Sequence, residues 1–405
     1  MIASSPAPSS KPLRIAALVR DLPIPVYAGL NLIVHHVLGR LSRRNEVLTF
    51  VLDRHYGREL GDYFLKFVCA PEATGSAVSP PANAIPRVAR YYGTSAPTLA
   101  WLETALADFA PDILLGFDNN VAPYLALLST PVPKVLDAVD SEILYLWRQL
   151  LRGDLRVRTV KHLLAALASA RLYFPRSDAV VAVSDEDRDN LRLFSGHRRV
   201  ETIPNGVDCD FFAPRPEIRK IRGRLVFSGS LSWPPNRAAV RWFLESCWAG
   251  ILRKRPDATL VIIGKLGTDA LKQEWEKHPN VEVIGFVPDI REHILQAEVS
   301  IAPMVSGSGI KNKILEAWAL GQPVVATALA ARGIRCQVDR DISIAEDSES
   351  FVSAVLRLLD DPELRAATGA AGRNTALARY SWEQVAENFE NLLRDVTSTA
   401  LRSAA

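Results

Sequence analysis

Gly307-Ser308-Gly309-Ile310-Lys311-Asn312-Lys313-Ile314-Leu315-Glu316-Ala317-Trp318-Ala319-Leu320-Gly321-Gln322-Pro323-Val324-Val325-Ala326-Thr327 is the stretch that decides the fold. An apolar strand, Val299 to Pro303, leads into it; glycines turn the chain, and a helix follows that ends at Gly321. A second short strand, Pro323 to Ala326, comes straight after. A helix entered through a glycine-rich turn offers unpaired backbone N–H groups and the positive end of its dipole to an anion. Lys311 and Lys313 place positive charge where the helix dipole disfavours it, which points to a bound anion. The plain alternative is that both lysines sit in solvent. Glu316 lies three residues after Lys313 on the same helical face, where a carboxylate can accept hydrogen bonds from a ribose or sugar. Diphosphate plus sugar is the ligand that suits this set.

Outward from this stretch, apolar runs alternate with amphipathic helical stretches from end to end. Expected strands are Arg14–Val19, Val47–Leu52, Ile113–Phe117, Lys134–Leu136, Ala179–Val183 and Val200–Ile203. A second set follows at Arg224–Ser228, Thr259–Ile263, Val281–Ile284, Val299–Ala302, Pro323–Ala326 and Ile342–Ile344. Alternation of this kind predicts α/β architecture, with parallel sheets covered by helices on both faces. Between the sets lie Pro204-Asn205-Gly206-Val207-Asp208 and the proline-marked polar run Ala213 to Arg222, which read as a linker. The expectation is two Rossmann-like, doubly wound domains facing across a cleft.

The 307–327 stretch resembles the donor site of the GT-B glycosyltransferases, specifically the family 4 type with a Glu-x7-Glu element. Glu316 matches the distal glutamate, and Ser308 stands where the proximal one would be. The first twelve residues, rich in Ser, Pro and Ala, read as a disordered tail; the resemblance, which spans nearly the whole chain, implies an acceptor-binding domain over 13–212. It further implies a nucleotide-sugar-binding domain over 213–380 and a terminal helix over 381–397, capped by Ser381, that crosses back to the first domain. The second domain opens with Leu225-Val226-Phe227-Ser228-Gly229-Ser230-Leu231-Ser232-Trp233-Pro234-Pro235-Asn236. Gly229 at a strand end allows close backbone approach to a ligand. Many family members carry Arg after this glycine and Lys a few residues on. Ser230 and Pro235-Asn236 replace them here, in a version similar to exopolysaccharide-associated sugar transferases. The diphosphate charge then falls to Lys313, with Lys311 second. By the same resemblance Gly264-Lys265 and Phe286-Val287 line the nucleotide pocket, and Gly309 and Ile310 border the donor. Asp289 also reads as a helix N-cap.

In the first domain, Gly29 ends the turn Arg20-Asp21-Leu22-Pro23-Ile24-Pro25-Val26-Tyr27-Ala28-Gly29, whose counterpart in related enzymes approaches the donor phosphates. A turn glycine with no ligand explains it as well. Asp137-Ala138-Val139-Asp140-Ser141-Glu142 follows a strand, and its carboxylates could orient an acceptor hydroxyl or take its proton. Asp140 is the first candidate and Asp137 the second; the competing reading makes Asp140 the cap of the next helix. Asp208-Cys209-Asp210 spells a metal signature of another glycosyltransferase fold, but its place after Ile203-Pro204-Asn205-Gly206-Val207 reads as a structural turn.

With 405 residues, 48% apolar content and 23% charged content, the chain is long enough for two full cores. A net charge of +3 makes no case for nucleic acid. Cys69, Cys209, Cys247 and Cys336 lack metal or redox spacing. No apolar run reaches the length of a membrane span, and the expectation is a soluble cytoplasmic protein. One basic run, 148–176, holds Arg148, Arg152, Arg156, Arg158, Lys161, Arg171 and Arg176 against a single acid, Asp154. Its leucine-rich interleaving suits an anionic membrane surface as a peripheral partner, or simply a solvated face.

The leading expectation is a glycosyltransferase moving a sugar from a nucleotide diphosphate donor to a hydroxyl of a glycan or lipid-linked acceptor. The resemblance implies retention of configuration and no metal or other cofactor. Asp140, Lys313 and Glu316 would be its catalytic residues. A nucleotide-sugar epimerase of the same fold, or a degenerate nucleotide-sugar-binding partner, are the alternatives.

Overall fold

Short runs rich in Val, Ile, Leu and Ala build two parallel sheets, and their burial on both faces explains why the runs are continuous rather than alternating. The computed structural model describes residues 11–24, 26, 29–53, 65–71, 85–151, 153, 155–307 and 309–404. Ser308, the stretch 1–10 of the expected tail, Pro25, Tyr27 and Ala28 of the first turn, and Arg152 and Asp154 of the basic run lie outside the described residues. Two compact units form, one from Met1–Ile203 with Ala386–Ala405, the other from Pro204–Val385.

In the first unit, β1 (Arg14–Val19) is followed by helix α1 (Leu30–Leu41), β2 (Glu46–Val51), β3 (Phe67–Cys69), β4 (Ile113–Phe117) and β5 (Lys134–Asp137). After β5 come helices α2 (Glu142–Leu151) and α3 (Val157–Tyr173), strand β6 (Ala179–Ala182), helix α4 (Asp185–Ser195) and β7 (Val200–Thr202), and further helices Arg87–Tyr91, Ala96–Phe109 and Ala122–Leu127 lie in the same unit. The sheet order is β3-β2-β1-β4-β5-β6-β7. Ile15 of β1 pairs with Val47 on one side and Ile113 on the other, so the winding reverses at β1/β4. Reversal opens a crevice outside the carboxyl ends of those strands, the usual ligand position in such sheets.

The second unit repeats the plan. It runs β8 (Arg224–Ser228), α5 (Pro234–Phe243), β9 (Thr259–Ile263), β10 (Val281–Gly285), β11 (Val299–Ala302), α6 (Asn312–Ala319), β12 (Val324–Thr327) and β13 (Ser343–Ala345). Its order, β10-β9-β8-β11-β12-β13, reverses at β8/β11. The supposed linker is part of this unit's packing: Phe212 and Ile218 lie on the core formed by Val226, Val261 and Ile263, and Lys220 donates to Gln322 Oε1 at 2.8 Å.

The last helix, α7 (Trp382–Ala404), begins at Ser381, whose Oγ accepts the Gln384 N–H at 3.3 Å. Its first turn belongs with the second unit, where Trp382 covers Gly206 so closely that a Cβ there would lie 2.5 Å from the ring. From Ala386 onward it belongs with the first unit: Phe389 and Leu393 are buried, and Asp395 pairs with Arg199 at 2.6 Å. All twelve expected strands form, several with ends moved by one residue. Strand β3 was not expected; three half-buried residues at a sheet edge leave too short a signature.

Candidate active site

At the carboxyl end of β8 the chain turns through Gly229 at φ +150°, and its neighbour strand β9 turns through Gly264 at φ +149°. The two turns lie so close that a Cβ on Gly264 would approach Gly229 O at 2.0 Å. Gly264 therefore has to be glycine. Above Gly229 sits the Lys313 ammonium: a Cβ on Gly229 would meet Lys313 Nζ at 3.0 Å and Asn236 Nδ2 at 2.9 Å. Lys313 reaches this place from the first turn of α6, which follows β11, the strand on the other side of the reversal.

The ammonium is held by neutral groups. Lys313 Nζ donates to Asn236 Oδ1 at 2.9 Å, contacts Met304 Sδ at 3.7 Å and stands 3.8 Å from the centre of the Phe227 ring. Asn236, buried in the first turn of α5, is fixed by its own Nδ2–H donated to Ser230 O at 2.8 Å. Desolvation without a contacting carboxylate pushes Lys313 down to about 7, against the opposing pull of Glu316. Glu316, half-buried on the same face of α6, is pushed up to about 7 by burial. Among the described residues no hydrogen bond or ion pair engages the Glu316 carboxylate. An under-compensated cation beside a glycine turn, with a free acceptor one helical turn on, is matched to an anion that carries hydroxyls.

Other expected donor residues fall around this point with distinct roles. Lys311 is the residue before α6, and its Nζ donates to Gly309 O at 2.6 Å, turned back on its own loop. Ile310 is buried. Ser230 is exposed and hydrogen-bonds Ser232 Oγ at 2.7 Å. Lys265 is exposed, while its carbonyl accepts the Leu231 N–H at 2.8 Å and so ties the two turns together. After β10, Phe286 is 72% exposed and Val287 packs on the unit's core. Asp289 does not cap from the N-cap position, which is Ile290; it accepts the Arg291 N–H at 2.9 Å and pairs with the Arg291 side chain. Asp208 Oδ1 accepts the Phe211 N–H at 2.9 Å, the work of a turn residue.

In the first unit the corresponding strand ends are acidic. Asp140 follows Val139, a β-branched residue held at φ +63°, and one strand away Asp118 at the end of β4 stands at φ +81°. Both conformations cost free energy that the surroundings must supply, and such residues cluster at functional sites. The helix after Asp140 is capped by Ser141, whose Oγ accepts the Leu144 N–H at 3.2 Å, so Asp140 is released from the capping role weighed for it. Burial and the Asp187, Asp118 and Glu142 charges push Asp140 up to about 6. Asp187 is itself buried, accepting the Ser141 N–H at 3.0 Å and the Ser184 hydroxyl at 2.5 Å. Asp137, expected to contact an acceptor, is only 1% exposed; its carboxylate accepts the Val139 N–H at 2.9 Å and holds the turn. Burial, with the Asp118 and Asp140 charges, pushes Asp137 up to about 7. Gly29, at φ +60°, precedes α1, and among the described residues nothing lies where its side chain would be.

Comparison with known proteins bears on both units. Residues 27–211 match the family model described as Glycosyltransferase Family 4, and residues 222–361 match that described as Glycosyl transferases group 1. The chain is a family 4-like glycosyltransferase of GT-B fold. A phosphatidyl-myo-inositol mannosyltransferase of Mycolicibacterium smegmatis is 28% identical to it over 240 residues, 57% of this chain and 61% of the relative. The match therefore spans about 60% of that curated relative's length. Among solved structures, sucrose-phosphate synthase from Thermosynechococcus elongatus superposes with a TM-score of 0.72 at 17% identity, covering 95% of this chain and 99% of the other. Anabaena Alr3699/HepE in complex with UDP-glucose superposes with a TM-score of 0.65 at 15% identity, covering 95% and 100%. At those identities the likeness is one of fold.

Within this family 4-like chain, three site features escaped the sequence reading. Asp118 is one; its signal was an acid and two asparagines, Asp118-Asn119-Asn120, directly after an apolar strand. Asn120 Nδ2–H donates to Asp118 at 2.6 Å, and burial pushes the Asp118 carboxyl up. The others are Phe227, on β8, and Met304, just after β11, the apolar cradle of Lys313, which left no signal beyond ordinary apolar residues.

Proposed function

We propose that the chain transfers a sugar from a nucleotide diphosphate sugar to a hydroxyl of a lipid-linked or glycan acceptor, with retention of configuration and without a metal. The reading rests chiefly on Lys313: a half-buried ammonium with no contacting carboxylate, set over a glycine turn at the β8/β11 reversal. Such a cation gains most from the charge that develops on a leaving diphosphate. The N-terminus of α6 adds its dipole, and Glu316 accepts hydrogen bonds from the donor's ribose. Gly229, Gly264 and Gly309 let the donor approach the backbone, with Phe286-Val287 at the base. In the first unit, Asp140 orients the acceptor hydroxyl. In the step that the family resemblance implies, the acceptor oxygen bonds to the anomeric carbon as the bond from that carbon to the phosphate oxygen breaks. The acceptor proton passes to the leaving phosphate.

The acceptor class draws support from the mycobacterial relative, whose name gives phosphatidyl-myo-inositol as its substrate, and the donor class from the UDP-glucose held by the Anabaena protein. A place in exopolysaccharide or other glycoconjugate synthesis, at the cytoplasmic face of a membrane and in peripheral contact with it through 148–176, fits those substrates. No helix of the described residues is long and apolar enough to cross a membrane.

Binding and slow hydrolysis across UDP-, GDP-, ADP- and dTDP-sugars, each with and without EDTA, test the proposal. One donor bound and consumed despite EDTA is the expected result. Consumption abolished by EDTA would remove the metal-independent mechanism, and no binding to any donor would favour a degenerate binding partner.

A further inference from the structure

Asn236 stands between two groups that make opposite demands of it. The Ser230 carbonyl can only accept a hydrogen bond, and the Lys313 ammonium can only donate one. The side chain meets both: Nδ2–H donates to Ser230 O at 2.8 Å, and Oδ1 accepts from Lys313 Nζ at 2.9 Å. These partners fix which way the carboxamide points. An aspartate here would turn one oxygen on the Ser230 carbonyl, acceptor against acceptor, and a leucine of similar size would satisfy neither group.

The first turn of α5 holds this adapter in place. Pro234 and Pro235 open the helix with fixed φ and no N–H to satisfy, and the Asn236 N–H donates to Trp233 O at 3.1 Å. Beside it, Arg237 Nη1 donates to Leu231 O at 2.9 Å and to Ser232 O at 2.8 Å. Three successive carbonyls, at 230–232, are thus bound from one helical turn. Of the two side chains that bind them, Asn236 is the one that also holds Lys313.

The ammonium's other neighbours leave its charge unmatched. The Phe227 ring of β8 and Met304 Sδ after β11 are neutral. The charges that act on it, Glu316 and Lys311, come from its own segment, and among the described residues Lys313 makes no ion pair. A carboxylate at position 236 would seat the lysine and neutralise it at once. An amide seats it and leaves the charge whole.

We propose that Asn236 is a positioning residue for the transfer: its carboxamide seats the Lys313 ammonium over the Gly229 turn and adds no charge of its own, which keeps the cation for the diphosphate. The inference rests on the reading of Lys313 as the group that receives the leaving diphosphate.

Carbon NMR of the full chain labelled at lysine Cε tests it, with the Lys313 signal assigned by its loss in Lys313→Arg. The wild-type ammonium should titrate at about 7. In Asn236→Asp, whose carboxylate faces the ammonium, the midpoint should rise by about one pH unit or more; in Asn236→Leu, which offers no acceptor, it should fall. Both variants lose the Ser230 bond, so a role confined to the loop would move them alike. Arg237→Met loosens the same loop without removing a Lys313 contact and should leave the midpoint in place. Calorimetry with UDP and GDP reads the consequence: each Asn236 variant should weaken the nucleotide that wild type binds roughly tenfold. Circular dichroism checks folding, and should Asn236→Leu misfold, the Asn236→Asp midpoint decides by itself. An unmoved midpoint in Asn236→Asp, shifts of one sign in both variants, an equal shift in Arg237→Met, or unchanged nucleotide affinity in both Asn236 variants would each overturn the proposal. If the wild-type chain binds neither nucleotide, the transferase reading fails, and the midpoints still decide whether Asn236 seats Lys313.

Discussion

The carboxyl ends of β1, β4 and β5 in the first unit and those of β9, β8 and β11 in the second flank the same winding reversal, β1/β4 in one and β8/β11 in the other, yet they are electrostatic opposites. The first gathers Asp118, Asp137 and Asp140, each with its carboxyl pushed up by burial. The second sets one lysine over glycine turns, its ammonium pushed down to about 7. Winding reversal supplies a crevice in both cases. The side chains at the strand ends then give each crevice its own character: buried carboxylates in one, a desolvated ammonium in the other. The same contrast appears in the backbone. At the carboxyl ends of β8 and β9 the second unit turns through Gly229 and Gly264, while after β4 and β5 the first holds Asp118 and Val139 in left-handed conformations that cost free energy.

The contrast breaks most sharply at Lys313. Replacing Lys313 by Ala should lower turnover roughly 100- to 1,000-fold and weaken diphosphate binding, as for other preorganised charge stabilisers; near-normal donor consumption would remove the assignment. Asp140→Asn, in the opposite unit, should lower kcat on the order of 100-fold, yet calorimetry should find UDP affinity close to wild type. A matched loss of nucleotide affinity would erase the division of labour. Gly229→Ala places a methyl group 3.0 Å from Lys313 Nζ and 2.9 Å from Asn236 Nδ2, so donor affinity should drop about tenfold.

The pH dependence sharpens the same comparison. Asp140 must lose its proton to accept a hydroxyl, so kcat/KM should rise as pH increases through about 6. Lys313 must keep its proton, so kcat/KM should fall as pH increases beyond about 7, and a bound diphosphate should move that limb upward in kcat. An alkaline limb that persists in the Lys313→Ala variant would belong to another group. The smallest effect is one of stability. The Asp137 carboxyl, raised from 3.8 to about 7, carries no burial penalty below the unfolded value; the penalty grows between the two and is complete above about 7. Asp137→Asn should therefore raise stability at pH 8 by about 1–2 kcal/mol and change little near pH 3.5, measured by urea unfolding.

Much of the fold was legible because apolar runs between glycine- and proline-marked turns name buried parallel strands directly. The placing of Lys313 was legible for a related reason: Gly309, Lys313 and Glu316 lie within eight residues, so helical spacing alone puts the lysine and the glutamate on one face. The carboxylate cluster of the first unit was less so. Its carboxylates come from different strands, and which of them faces outward depends on turns that sequence spacing does not describe. Asp137 and Asp140 look alike in the chain, but the Val139 turn buries the first and frees the second. Lys311 and Lys313 look alike too, until Lys311 is found tied to Gly309 O and Lys313 aimed at Asn236.

By itself, the order of residues determined the two parallel sheets, the glycines of their turns and the placing of Lys313 and Glu316 on one helical face, because each follows from periodicity or from conformations within a few residues. Tertiary structure alone decided the surroundings that give those residues their chemistry. Phe227, Asn236, Met304 and Lys313 belong to four separate segments, and only sheet assembly brings them together. A lysine's charge is ordinary in water; desolvation by neutral neighbours makes it reactive, and desolvation is a property of the packed chain.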